Sequence, residues 1–92
     1  MAPQAIADPD EIERFRLSLR AFVSNLRDNV KALDGSFARL GETWRDQEQH
    51  KFAYEFEQTA RVLKRFCEIA ESHDGWLRNK ARDLRLYLGQ GG

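Results

Sequence analysis

The sequence predicts an all-α fold, an antiparallel two-helix hairpin. Three observations carry that prediction. Proline occurs only at positions 3 and 9, so the rest of the chain lacks the strongest helix breaker. Apolar residues recur at steps of three and four through both halves of the chain. A single cluster of turn-forming residues, Gly41-Glu42-Thr43-Trp44-Arg45-Asp46, separates those halves. At 92 residues the chain has room for one domain, residues 1–92.

The first helix is expected over about 9–41. Asp8 is placed to cap it, Pro9 suits its first position, and Glu11 stands where a capping box needs its acid. Its apolar stripe runs through Ile12, Phe15, Leu19, Phe22, Leu26, Val30, Leu33, Phe37, Leu40 and Trp44. One repeated step of four, between Phe22 and Val30, makes this a coiled-coil-like seam with a single stutter. Gly35 weakens the helix by about 1 kcal/mol relative to Ala and is the point at which it would bend. The turn is expected over about 41–46. Gly41 ends the first helix, and Asp46, with Gln49 three residues on, caps the second; Thr43 is the rival cap.

The second helix is expected over about 46–88. Its stripe runs through Phe52, Phe56, Thr59, Leu63, Phe66, Ala70, His73, Leu77, Ala81, Leu84 and Leu88. Ser72-His73-Asp74-Gly75 is the weak point, where a kink is expected inside the domain. Gly89-Gln90-Gly91-Gly92 is expected to fray.

Composition narrows the function classes. Hydrophobic residues make up 41% of the chain, too many for a disordered segment. Lys plus Arg and Asp plus Glu each number 15, so the formal net charge is zero. A nucleic-acid binder draws its affinity from an excess of basic groups, which this balance does not supply. The exception is local: Lys64, Arg65, Arg78, Lys80, Arg82 and Arg85 make the C-terminal third basic, and nucleic-acid binding stays open there as an alternative. Met1–Ala7 has no basic start and no apolar run, so no general secretory signal peptide is expected. No stretch approaches the ~18 apolar residues of a membrane span. The expected location is cytoplasmic when made, with any export by a route that reads no cleavable N-terminal signal.

Nothing in the chain assembles catalytic or ligand-binding chemistry, so no enzyme, cofactor or metal is expected. Cys67 is the one cysteine, which excludes an internal disulfide. It has no histidine placed to activate it, so it reads as a structural thiol. His50 follows Asp46 by four residues, but two ligands do not make a metal site. Neither His50 nor His73 has the acid three residues earlier that di-iron helical bundles use. Glu55 and Glu57 fall on different helix faces. Glu68 and Glu71 share a face, but with Lys64 and Arg65 beside them they read as solvated ion pairs. Gly35, Gly41 and Gly75 are isolated and form no phosphate loop.

The hairpin leaves apolar surface over. Paired outward from the turn, the second helix outruns the first near Ala81, and Leu84, Leu86, Tyr87 and Leu88 lie beyond it. Val62, Ile69 and Trp76 recur every seven residues beside the main stripe, with Tyr54 near the same flank. One partner helix covers only a narrow seam. The expected interface is therefore Tyr54, Val62, Ile69, Trp76, Leu84, Tyr87 and Leu88, and the expected assembly is a four-helix bundle formed by dimerisation. The alternative is a bend at Gly75 that folds the C-terminal segment back as a third helix.

Leu33, Phe37 and Leu40 lead into the Gly41–Asp46 turn, and Phe52 and Phe56 follow it. This pattern resembles the WXG-type, ESAT-like family of short helical hairpins, in which a tryptophan and a nearby glycine mark the turn. The resemblance spans nearly the whole chain. Trp44 matches the tryptophan, while Asp46 stands at the glycine position, where it can cap the second helix. Substrates of that family often carry a C-terminal tyrosine followed four residues later by an acid. Here Gly91 follows Tyr87 and Gln58 follows Tyr54 at that spacing, so this signal is missing. The resemblance implies homodimers or heterodimers with related hairpins and passage through type VII-like secretion machinery. An intracellular scaffold or adaptor subunit is the alternative.

Overall fold

A computed structural model describes residues 7–91, the side chains of 90 and 91 excepted. The chain forms an antiparallel helical hairpin: α1 spans Pro9–Leu40 and α2 spans Gln47–Gly91. Among the described residues there is no strand.

Three of the helix ends have a local chemical reason. Asp8 is extended (φ −89°, ψ 117°) and its carboxylate accepts the Asp10 N–H at 2.9 Å. Pro9 opens the helix, and Asp10 and Glu11 place negative charge on the positive end of its dipole. Glu11 does not close a capping box; its carboxylate takes the Arg14 guanidinium instead. At the other end, the Leu40 carbonyl accepts from the N–H groups of Thr43 (3.1 Å) and Trp44 (3.0 Å). The Arg45 guanidinium donates to the Gly41 carbonyl at 3.1 Å. These bonds satisfy carbonyls that a helix C-terminus leaves without partners. Asp46 begins α2 by accepting the Gln49 N–H at 3.0 Å.

α2 runs unbroken through 72–75. The Ser72 hydroxyl donates to the Ile69 carbonyl at 2.6 Å, a bond made within the helix. The fold-back alternative is thereby overturned: the C-terminal segment continues α2 and forms no third helix. The helix also continues to Gly91, past the expected end at 88. The expected fraying at Gly92, and the sequence reading of residues 1–6, lie outside the described residues.

The seam between the helices is a heptad that keeps the expected Ile12, Leu19, Leu26, Val30 and Phe37 on α1 and Phe56, Leu63, Ala70, Leu77, Ala81 and Leu84 on α2, and shifts by one residue at the intervening positions. On α1 the covered rows are Pro9, Arg16, Val23, Val30 and Phe37 (position a) and Ile12, Leu19 and Leu26 (position d). On α2 they are Ala53, Ala60, Cys67, Asp74 and Ala81 (a) and Phe56, Leu63, Ala70, Leu77 and Leu84 (d). Phe15 and Phe22, expected in the seam, are 58% and 53% exposed. Leu33, Leu40, Phe52, Thr59, Phe66, His73 and Leu88 are also exposed. The expected stutter disappears once Arg16 and Val23 take the places of Phe15 and Phe22. The inner core is Val23, Cys67 and Ala70, with Leu19 and Leu26 packed against it.

The helices also overlap further than expected. Pro9 and Ala81 are buried, Leu84 is half-buried, and Arg85 bonds Asp10 at 2.9 Å. The overhang therefore begins at Leu86, not near Ala81, and carries the exposed Leu86, Tyr87 and Leu88.

Candidate interaction surface

The seam leaves two flanks, formed by the rows that border it. On one side lie the e positions: Glu13, Arg20, Arg27 and Asp34 on α1, and His50, Glu57, Lys64, Glu71, Arg78 and Arg85 on α2. Nine of the ten are Lys, Arg, Asp or Glu, His50 being the exception. On the other side lie the g positions: Phe15, Phe22, Asn29 and Ser36 on α1, and Phe52, Thr59, Phe66, His73, Lys80 and Tyr87 on α2. Lys80 is the only Lys, Arg, Asp or Glu among these ten.

In an antiparallel pair e faces e and g faces g, and the side chains obey this. On the charged flank Arg27 grips Glu71 with bonds of 3.0 and 2.6 Å, and Lys64 lies 3.7 Å from Asp34. On the uncharged flank the Phe22 and Phe66 rings meet edge to face with centroids 6.0 Å apart. The hydrogen bond from Arg27 holds the Glu71 carboxyl below its ordinary pKa.

The charged flank reaches into the seam at one layer. Arg16 is buried and donates to Glu13 at 2.7 Å and to Asp74 at 3.0 Å. Arg78 holds the other Asp74 oxygen at 2.8 Å. The Arg16 hydrogen bond holds the Glu13 carboxyl below its ordinary range, and Glu13 and Asp74 in turn push the guanidinium pKa up. Every fixed charge in this layer has a partner, as a half-buried charge requires.

The apolar flank is widest in the half away from the turn. Phe15 and Phe22 of α1 stand beside Val62, Phe66, Ile69 and Trp76 of α2, all exposed. Phe15, Ser72, His73, Trp76 and Leu77 line an open groove across the two helices. Val62, Ile69 and Trp76 occupy the c row beside g, so the sequence reading placed them on this flank. Phe15, Phe22 and Phe66 belong to it as well, although that reading assigned them to the seam. Tyr54 occupies a b position, about 100° around α2 from the c row and toward the charged flank. Leu84 is half-buried in the seam, and Tyr87 and Leu88 lie on the overhang. The signal that could have found the flank was legible: charge at every e position except His50, and almost none at g.

At the turn, Trp44 is half-buried at the end of an aromatic cluster. Its ring lies 5.9 Å from Phe52, which lies 6.0 Å from Phe56. Phe37 closes on Phe56 at 4.7 Å and on Phe52 at 5.7 Å. Trp44 and Asp46 thus act on the turn together, one packing and one capping.

Cys67 is 1% exposed, at the centre of the seam. His50 and His73 are both exposed. Among the described residues no three His, Cys, Asp or Glu side chains gather in a way that could hold a metal ion. No helix among them is long and apolar enough to cross a membrane. No family model, curated protein or solved structure matches the chain.

Proposed function

We propose that this chain is a non-catalytic interaction protein that completes a four-helix bundle with a second hairpin, its own or a related one, in the manner of WXG-like effectors and their partners. The observation that carries this reading is the uncharged flank with its exposed Phe15, Phe22, Val62, Phe66, Ile69 and Trp76. Helices in bundles bury a third row beside a and d, and here the g row is composed for that purpose. The Trp44 turn cluster supports the family resemblance, and passage through type VII-like secretion machinery is the cellular role that goes with it.

The nucleic-acid alternative gains nothing from the basic C-terminal third, because its arginines are held by acids. Arg65 pairs with Glu68, Arg78 with Asp74, Arg82 with Asp83 and Arg85 with Asp10.

Site-specific photocrosslinking inside cells tests the interaction reading. A crosslinking side chain at Val62 should capture a helical protein, while one at Arg20, on the charged flank, should not. Equal capture from both positions, or none from either, overturns the reading. Export is tested separately, by finding the chain in culture medium while a cytoplasmic marker stays in the cells. An intracellular scaffold would remain with the marker.

A further inference from the structure

We infer that the charged flank carries an oxyanion site, in which Arg20 of α1 and Arg78 of α2 together take the phosphate group of a small molecule. The site lies across the seam from the apolar surface proposed above and stands or falls independently of it.

The pairs Arg27–Glu71 and Asp34–Lys64 fix how the two e rows face each other. Steps of seven along both helices then set Glu13 opposite Arg85 and Arg20 opposite Arg78. Three of these four rungs join opposite charges. The fourth sets guanidinium against guanidinium, and like charges held face to face work against the pairing of the helices. A single broken rule in an otherwise consistent pattern marks a functional position.

The surroundings of that rung leave Arg20 in surplus. Among the described residues the nearby carboxylates are taken by other arginines: Glu13 and Asp74 by Arg16, Glu71 by Arg27, and Asp74 also by Arg78. Four guanidiniums thus stand against three carboxylates, and Arg20 is exposed without an acid of its own. Arg78 is aimed in advance, because Asp74 holds it at 2.8 Å.

Arg16, Arg20, Ser24, Arg27 and Arg78 line one open groove of about 450 Å³ across the two helices. Ser24 follows Arg20 by one helical turn, so its hydroxyl is a further donor on the same face. The b row bordering the groove is low at this layer, with Ser24 on α1 and Gly75 on α2. A Cβ at Gly75 would meet nothing within 4 Å. Guanidiniums present paired N–H donors to oxyanions, and two of them on opposite walls suit a dianion with three free oxygens better than a carboxylate with one charge. The groove is larger than phosphate alone and has room for a small organic body.

Titration of the isotope-labelled full chain with inorganic phosphate, at an ionic strength held constant with chloride, tests the site through the arginine Nε–H signals in NMR. Those of Arg20 and Arg78 should move together to saturation, with a dissociation constant on the order of 1 mM. Arg39 is the internal control, being exposed and bonded to the Ser36 hydroxyl, and it should show no saturation. Arg20→Gln should weaken phosphate binding about tenfold or more, the loss of one charged hydrogen-bonding group. In chloride it should leave the melting temperature unchanged or raised, because it removes a repulsion and no ion pair. Glycerol 3-phosphate separates the sources: tighter binding than inorganic phosphate assigns the groove to an organic ester, and equal binding assigns it to the free ion. Equal responses of Arg39 and Arg20 would mean a diffuse counterion atmosphere and overturn the site. Equal binding of acetate, or binding retained in Arg20→Gln, overturns it as well. A melting temperature lowered by Arg20→Gln in chloride would show that Arg20 supports the fold, and the repulsive rung would no longer point to a ligand.

Discussion

Trp44 ends a row of rings that joins both helices, and its contacts set its energetic weight. It touches Phe52, which stacks on Phe56, and both rings pack on Phe37. Because Trp44 is only half-buried, Trp44→Ala should cost about 2–3 kcal/mol, the low end for a large aromatic truncation, read by urea unfolding at fixed concentration. A midpoint unchanged within error would mean that the ring does not help to close the turn. Asp46→Ala removes the acceptor for the Gln49 N–H and should cost about 1 kcal/mol in the same assay. Arg16 makes a different case, because its charge is buried between Glu13 and Asp74. Asp74→Ala should lower the melting temperature by leaving that guanidinium short of a partner. Arg16→Leu combined with Asp74→Leu should restore it, since an apolar layer needs no compensating bonds. Trp44 and Asp46 were legible from sequence because their roles are local. Arg16 was not, because the carboxylate that makes its burial affordable lies 58 residues away.

α1 and α2 were legible as elements to within three residues at each end, since caps and breakers act locally. The seam was legible in its d row and, in the a row, at Val30, Phe37 and Ala81. Ile12, Leu19, Leu26, Phe56, Leu63 and Leu77 are large and apolar in every reading. The rest of the a row hides from a hydrophobicity pattern: Arg16 and Asp74 are charged, and Ala53 and Ala60 are small. The bulky g residues Phe15, Phe22 and Phe66 draw the eye one position aside. The expected kink at Gly75 also dissolved, because no competing structure outweighs the helix around it. That glycine now marks a spare site for stabilisation. A Cβ built at Gly75 meets nothing within 4 Å, and the same holds at Gly35. Gly75→Ala should stabilise the hairpin by about 1 kcal/mol through backbone entropy alone, and Gly35→Ala by a similar amount. For a domain of this size that is about 4–8 °C in melting temperature by circular dichroism. A drop in its place would show that something outside the chain occupies the space beside the glycine.

At the scale of the whole molecule the two flanks should answer to different solution variables. Glu13 and Glu71 have their pKa lowered on folding, chiefly by hydrogen bonds from Arg16 and Arg27. A carboxyl that gives up its proton more easily when folded favours the folded state only while it is ionised. Its contribution is therefore complete above the unfolded value of about 4.3 and is lost as pH falls through the lower folded value. The urea midpoint should fall through that acid range, and Glu13→Gln, which removes the partner of the buried Arg16, should lower the neutral-pH midpoint while flattening the acid fall, with Glu71→Gln doing far less. A variant that keeps the full acid slope would mean that other carboxylates set it. Salt should do far less, because the exposed Arg27–Glu71 pair is readily screened and contributes little to begin with. Association through the g flank depends on apolar area, so sulfate should strengthen it by favouring burial, although sodium chloride screens whatever charge pairs form at its ends. The decisive comparison is between the two salts at equal ionic strength. Tighter association in sulfate places the driving force on the rings of the uncharged flank. Equal weakening in both would place it on charge pairs, and the flank of arginines and carboxylates would then be the surface that meets the partner.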